Sequence, residues 1–269
     1  MSDGYGPDGR KRAIVLTFDN LGEASSLERG TWNPHIPLGE DPSVTRALPW
    51  LLEALDHSGL RATFFVEAIN CELNPEALAE IAGRGHELGA HGWQHEQWDE
   101  LGADEERDLL ARTARAFAVA GLGVRGFRPP GGELTPRTPG LLRAQGFAWY
   151  SPAGEGPPAV RDGLATIPFA WDLVDAYLLM ERFAPLRTSR GHSAEPDGAA
   201  AAGARLARAL EDGTGVQTVI LHPFLMLDEA WREQAERLLA QLARLARDGR
   251  AWVVPGGDLA QVLGGPRPQ

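Results

Sequence analysis

Short apolar runs alternating with helix-like segments constrain this chain more than any single residue does. Ala13-Ile-Val-Leu-Thr-Phe18 is continuously apolar apart from one threonine, as a strand buried on both faces must be. Ala62-Thr-Phe-Phe-Val66 has the same character, and residues 86–90, 124–127, 147–150, 165–168, 218–221 and 251–254 repeat it. Helical patterns lie between them. Leu48, Leu51, Leu52 and Leu55 share one face, with Ser43 as the expected cap and Gly59 as the stop. Asn74-Pro75 and Thr135-Pro136 read as helix starts, and helices are expected over 103–120 and 199–211. Asp228 heads an amphipathic stretch through Trp231, Leu238, Leu242 and Leu245. Seven or eight βα units in series fold into an open doubly wound sheet or a closed barrel. No Gly-x-Gly-x-x-Gly turn follows the first run, which argues against a dinucleotide fold. The shortness of several runs favours an α/β fold with a distorted (β/α) barrel of about seven parallel strands. One domain is expected over 1–269, with 1–11 and 265–269 as flexible tails. Residues 169–198 carry only a hint of one short helix and are the natural lid or substrate-contacting segment.

A chain of 269 residues with 43% hydrophobic content can fill one such core. Its formal charge of -11 disfavours a nucleic-acid partner. Cys71 is the single cysteine, so no internal disulfide forms. No apolar run approaches the roughly 18 residues a membrane span requires. The opening residues are polar and lack the apolar centre of a secretion signal, so a cytoplasmic protein with no membrane partner is expected. Oligomeric state is open, with a homo-oligomer among the alternatives.

Reactive residue types collect where the expected strands end. Asp19-Asn20 follows the first, His91-Gly-Trp-Gln-His95 the third, Arg128 the fourth, and His222 the run 218–221. In a parallel barrel all these exits open on one rim. Two imidazoles four residues apart, on one side of a helical turn, are within reach of one cation. A base at Asp19 and an acid at His222 on opposite sides of such a cation make a hydrolytic site. Gly131 carries the first free N–H after Pro129-Pro130, as an oxyanion donor requires. Each residue also has a plainer reading: Asp19 as a turn cap, His222 as a core histidine, Arg128 as a surface ion-pair partner, and Gly131 as part of a stiff turn.

Together these residues resemble the polysaccharide deacetylase family, also called carbohydrate esterase family four. Thr17-Phe-Asp-Asn20 is similar to the family's Thr-Phe-Asp-Asp, and His91-Gly-Trp-Gln-His95 to its His-Ser/Thr-x-x-His. Phe127-Arg-Pro-Pro-Gly131 is similar to Arg-x-Pro-Tyr, and Leu221-His222 to Leu-His. The match runs over 13–223. The resemblance implies a divalent cation, usually zinc, held by His91, His95 and the Asn20 position. It implies Asp19 as general base, Arg128 as the residue orienting it, and His222 as general acid. Gly131 stands where a tyrosine N–H is donated.

Three departures qualify it. Asn20 replaces an anionic ligand with a neutral one, and Glu23 or Asp19 is a candidate for the missing carboxylate. Gly131 lacks the tyrosine ring. The sequence Ile167-Pro-Phe-Ala-Trp-Asp-Leu-Val-Asp-Ala-Tyr177 replaces the Asp-x-x-Asp-Trp motif and resembles the branch of intracellular peptidoglycan-deacetylase-like and allantoinase-like members. Trp93, Trp171 and Asp175, with Gly131, are the expected substrate contacts, and Asp172 is expected to face the pocket. Deacetylation of an N-acetylated amino sugar or similar small molecule leads. Ring opening of a cyclic imide or ureide is the alternative hydrolysis, and a catalytically weakened carbohydrate-binding homologue is the alternative outside catalysis.

Overall fold

The structure, a computed structural model, describes residues 4–6 and 9–264. Of the expected tails, residues 1–3, 7–8 and 265–269 lie outside the described residues. The strands are β1 (Ala13–Asp19), β2 (Thr63–Val66), β3 (Glu87–Ala90), β4 (Gly126–Phe127), β5 (Trp149–Tyr150), β6 (Ala159–Arg161), β7 (Leu164–Thr166), β8 (Val216–Leu221) and β9 (Trp252–Val254). They form one sheet in the order β6-β7-β5-β4-β3-β2-β1-β8, with β9 added beside β1. All pairings are parallel except β6 with β7. The sheet curls into the expected distorted barrel. Among the described residues no ladder joins β7 to β8. The seam is bridged by Val174 against Ile220 and by the Thr218 hydroxyl, which donates to the Pro168 carbonyl at 2.8 Å.

The two-residue period of a strand decides what fills the barrel and what lies under the helices. Ile14, Leu16 and Phe18 join the large core beneath the helical layer, with Leu51, Leu52 and Leu55 of the helix Leu48–Ser58. Ala13 and Val15 join a second cluster with Phe65, Trp149, Ala165, Ile167 and Val254. The period that gives Val15 to this inner cluster gives Thr17 and Asp19 to the layer above it. Gly89 is required by this filling: a Cβ there would come within 2.5 Å of the Phe65 ring.

Most expected elements form where the pattern puts them. The Asp228 carboxylate caps the helix Glu229–Arg247 by accepting from Trp231 N at 2.9 Å, and Gly59 ends Leu48–Ser58 at φ 64°. The cap expected at Ser43 belongs to Asp41, whose carboxylate accepts the Ser43 N–H at 2.7 Å. Ser43 instead accepts from Gly22 N at 3.0 Å, because it already lies inside a wide π-type turn, Ser43–Ala47. Strand β6 is absent from the sequence reading; its residues are exposed, so no apolar pattern marks them. The segment 169–198 is more regular than expected, with helices Asp175–Leu179 and Ala184–Ser189 flanked by 3-10 turns. Among the described residues, no helix is long and apolar enough to cross a membrane.

Candidate active site

A cleft of about 360 Å³ opens at the C-terminal ends of the strands. The ladder explains how His91 and Arg128 come to line it, with Glu67 and Ser151 buried at the same level. His91 N donates to Val66 O, Arg128 N to Ala90 O, and Ser151 N to Phe127 O, each at 2.9 Å. These bonds continue the β2-β3-β4-β5 register one step past each strand. Glu67, His91, Arg128 and Ser151 therefore leave the sheet at one level, all pointing inward by the same alternation. Asp19 ends β1 opposite Phe65, and His222 follows β8.

Arg128 organises the base side. It is 1% exposed and spans the barrel. Its Nη1 donates to Asp19 Oδ1 at 2.6 Å and to Thr17 Oγ1 at 2.8 Å, while Nη2 donates to Ser151 Oγ at 2.8 Å. The guanidinium lies 4.2 Å from the Phe65 ring centroid. A buried charge so surrounded is fixed in place, and it fixes the Asp19 carboxylate.

On the adjoining strand, one step past the Phe18–Leu221 register pair, Asp175 holds His222 twice. His222 Nδ1 lies 2.5 Å from Asp175 Oδ1, and His222 N donates to Asp175 Oδ2 at 2.8 Å. Facing a carboxylate, Nδ1 carries the proton, and Nε2 is left for the cleft.

The His91–His95 segment is not the expected helical turn. It is a tight loop with Gly92 at φ 76° and His95 at φ 79°, which brings the imidazole centroids to 5.1 Å at 81°. A Cβ on Gly92 would come within 2.6 Å of the Glu96 carboxylate. That carboxylate closes the loop by accepting from Trp93 N at 3.0 Å and Gln94 N at 2.8 Å. His91 Nδ1 donates to the Arg128 carbonyl at 2.8 Å, which leaves its Nε2 lone pair free to act as a ligand. Burial pushes the His91 imidazole down to about 3, with Arg128 and His222 adding to the effect against the backbone bond. Burial and then His91 hold His95 well below the usual range. Both are neutral at physiological pH, as ligation requires.

One atom from each of Glu67, His91 and His95 lies within 4.8 Å of the others. Glu67 Oε1 and Asn20 Oδ1 are buried without a partner. Burial, with Asp19 and Glu96 nearby, pushes the Glu67 carboxyl up to about 8 against two backbone N–H bonds. Two neutral imidazoles beside unsatisfied buried oxygens fit a divalent cation. Asn20 has φ 61°, a region that asparagine tolerates better than most residues and that recurs at functional sites.

Other expected contacts divide. Gly131 and Trp171 line the cleft, as do Arg29 and Arg182. Burial and the neighbouring Arg29 pull Arg182 down to about 10. Trp93 does not line it: its ring is buried, with the Arg112 guanidinium 3.4 Å from the centroid, beside a separate hollow next to Cys71. The positive-φ turn at Gly92 breaks the strand alternation that would otherwise put Trp93 on the side His91 occupies. Asp175 is fully buried behind His222 and touches no open space. Asp172 pairs outside the cleft with Arg205 at 3.1 Å. Glu23 is also elsewhere. Its carboxylate holds Gly39 N at 2.5 Å and Asn74 Nδ2 at 3.0 Å, fastening the loop that follows β1. Asp19 is engaged by Arg128. Of the residues missed in the sequence, Glu67 and Ser151 obey the strand-exit rule that found the others.

The sequence profile described as "Polysaccharide deacetylase" matches residues 6–149, more than half of the chain. A peptidoglycan-N-acetylglucosamine deacetylase of Bacillus cereus is 32% identical over 125 residues. That match covers 46% of this chain and 38% of the relative, so it spans well under two thirds of the relative's length. A Mycobacterium smegmatis crystal structure, assigned to the polysaccharide deacetylases, superposes with a TM-score of 0.81 at 28% identity. It covers 98% of this chain and 96% of that one. The crystal structure of an allantoinase superposes at 0.72 with 16% identity over 96% of this chain and 92% of its own, a likeness of fold. The chain belongs to the polysaccharide deacetylase family.

Proposed function

We propose that the chain, as one catalytic domain over 1–269, is a metal-dependent hydrolase of a non-peptide C–N amide bond. Its substrate is an N-acetylated amino sugar or a similar small molecule, and its cation is zinc, held by His91 and His95 with an oxygen ligand from a neighbouring strand exit. When bound, such a cation would supply Lewis acidity toward the amide carbonyl and the attacking water. The chain's own groups do the rest. Asp19, oriented by Arg128, accepts the proton of the water. The Gly131 N–H donates to the oxygen that becomes negative as the carbonyl is attacked. His222, oriented by Asp175, gives its Nε2 proton to the leaving nitrogen after that imidazole has been protonated.

The observation that carries this reading is a pair of neighbouring but separately anchored groups. Asp19 is gripped by Arg128 at the exit of β1 and His222 by Asp175 at the exit of the adjoining β8, with two neutral imidazoles in the same cleft. The Bacillus cereus relative's name supports N-acetylglucosamine as the starting substrate class.

The test is acetate release from N-acetylglucosamine oligomers and a panel of small N-acetyl compounds, with wild type, Asp19→Asn and His222→Ala in parallel. Release by wild type, with loss in both variants at unchanged metal content, is expected. Release that survives both substitutions would remove Asp19 and His222 from the chemistry.

A further inference from the structure

Asn20 puts a neutral amide at the exit of β1, and a carboxyl group, Glu67, stands buried at the exit of the neighbouring β2. Glu67 is the first residue after β2, level with His91 through the Val66–His91 backbone bond. Its Oε2 accepts from Leu21 N at 3.4 Å, and its Oε1 has no partner although the residue is fully buried. An unpaired buried carboxylate oxygen is costly unless something positive completes it. Arg128, level with Glu67, gives its Nη groups to Asp19, Thr17 and Ser151, and Arg29, which feels the charge of Glu67, makes no hydrogen bond to its Oε1. The groups beside Glu67 within 4.8 Å are instead the ligand atoms of His91 and His95. Two imidazoles and one carboxylate are a common zinc donor set.

We propose that Glu67 is the anionic ligand of this chain's metal centre, so that the carboxylate has moved from the exit of β1 to the exit of β2. The neutral Asn20 then leaves the centre with one ligand charge rather than two. The assignment deepens the hydrolase reading and rests on it for the position of the cation between His91 and His95.

Metal-free full-length protein is titrated with zinc against a chromogenic chelator, as wild type, Glu67→Gln, Asn20→Asp, the double variant and His91→Ala. Melting is followed with and without zinc. Wild type should bind one zinc and His91→Ala none. Glu67→Gln should weaken binding by roughly 100-fold or more, since even groups behind metal ligands are worth about 10–100-fold. The double variant should recover at least about tenfold of that loss, because it returns a carboxylate to the original position. Glu67→Gln should melt no lower than wild type without zinc and should lose the zinc-induced rise. A purely structural Glu67 would instead give a lower melting point in metal-free protein. Glu67→Gln affinity within about threefold of wild type, or a wild type that binds no zinc, overturns the assignment. Acyl release is scored separately. Zinc bound through Glu67 with no hydrolysis of any substrate sinks the hydrolase reading alone, whereas hydrolysis with zinc affinity indifferent to Glu67 sinks this assignment alone.

Discussion

Asp175 binds both the ring and the backbone of His222, through Oδ1 at 2.5 Å and Oδ2 at 2.8 Å. One carboxylate therefore sets the tautomer of the imidazole and the height at which it enters the cleft. Asp175→Asn keeps the shape but can present an N–H to Nδ1, favouring the wrong tautomer. Turnover should fall about 100-fold or more, the scale of a lost general acid. Zinc content and melting should change little. Steady-state kinetics with metal analysis checks this, and a parallel loss of metal would mean that Asp175 shapes the whole cleft.

The Asp19–Arg128 pair should matter for stability as well as chemistry. Arg128→Met would strand a buried carboxylate, and breaking a buried pair costs about 3–5 kcal/mol. Urea unfolding should show that loss. The double variant with Asp19→Asn should recover part of it while remaining inactive, because the stranded charge is gone.

Gly92→Ala tests the loop that aims the two imidazoles. The new Cβ would press on the Glu96 carboxylate at a backbone conformation with φ 76°. The left-handed conformation alone costs about 1 kcal/mol for alanine. Zinc affinity should fall more than stability does, since Glu96 must let go of Trp93 N or Gln94 N. Unchanged affinity would show that the loop is not preset by Glu96.

His86 supplies a pH dependence remote from the cleft. Burial lowers its pKa, with Arg84 and Arg61 adding to the effect and Asp56 opposing it. Its Nδ1 accepts from Ala62 N at 3.4 Å, a bond that protonation of Nδ1 would abolish. The unfolded chain therefore binds this proton more readily than the folded one. Stability from this group is intact above the ordinary histidine range of about 6.5 and is lost as pH falls from there toward the lowered folded value. His86→Phe, which keeps contact with Phe64, should flatten the fall in stability of metal-free protein below about pH 6.5. An equally steep fall in the variant would assign the slope to other groups.

The strand-exit rule made much of this molecule legible. Asp19, Asn20, His91, Arg128 and His222 all announce themselves as polar residues that end apolar runs, and a parallel sheet gives those positions one rim. The same rule reaches Glu67 and Ser151, but neither carries a familiar motif, and a glutamate opening a connection reads as a solvated residue. Trp93 is expected as a substrate contact, but the positive-φ turn at Gly92 buries its ring outside the cleft, which a sequence pattern does not show. Asp175 was legible as important but not as buried, since only the tertiary fold shows that the helix Asp175–Leu179 packs behind β8.

The seam between β7 and β8 gives the His222–Asp175 contact a second duty. Where other neighbours share a ladder, this join consists of the Val174–Ile220 bridge, the Thr218–Pro168 bond and, at the rim, the clasp of Asp175 on His222. The imidazole is thus also a rivet. Breaking the ring half of that clasp would loosen the rim of the cylinder along the same line.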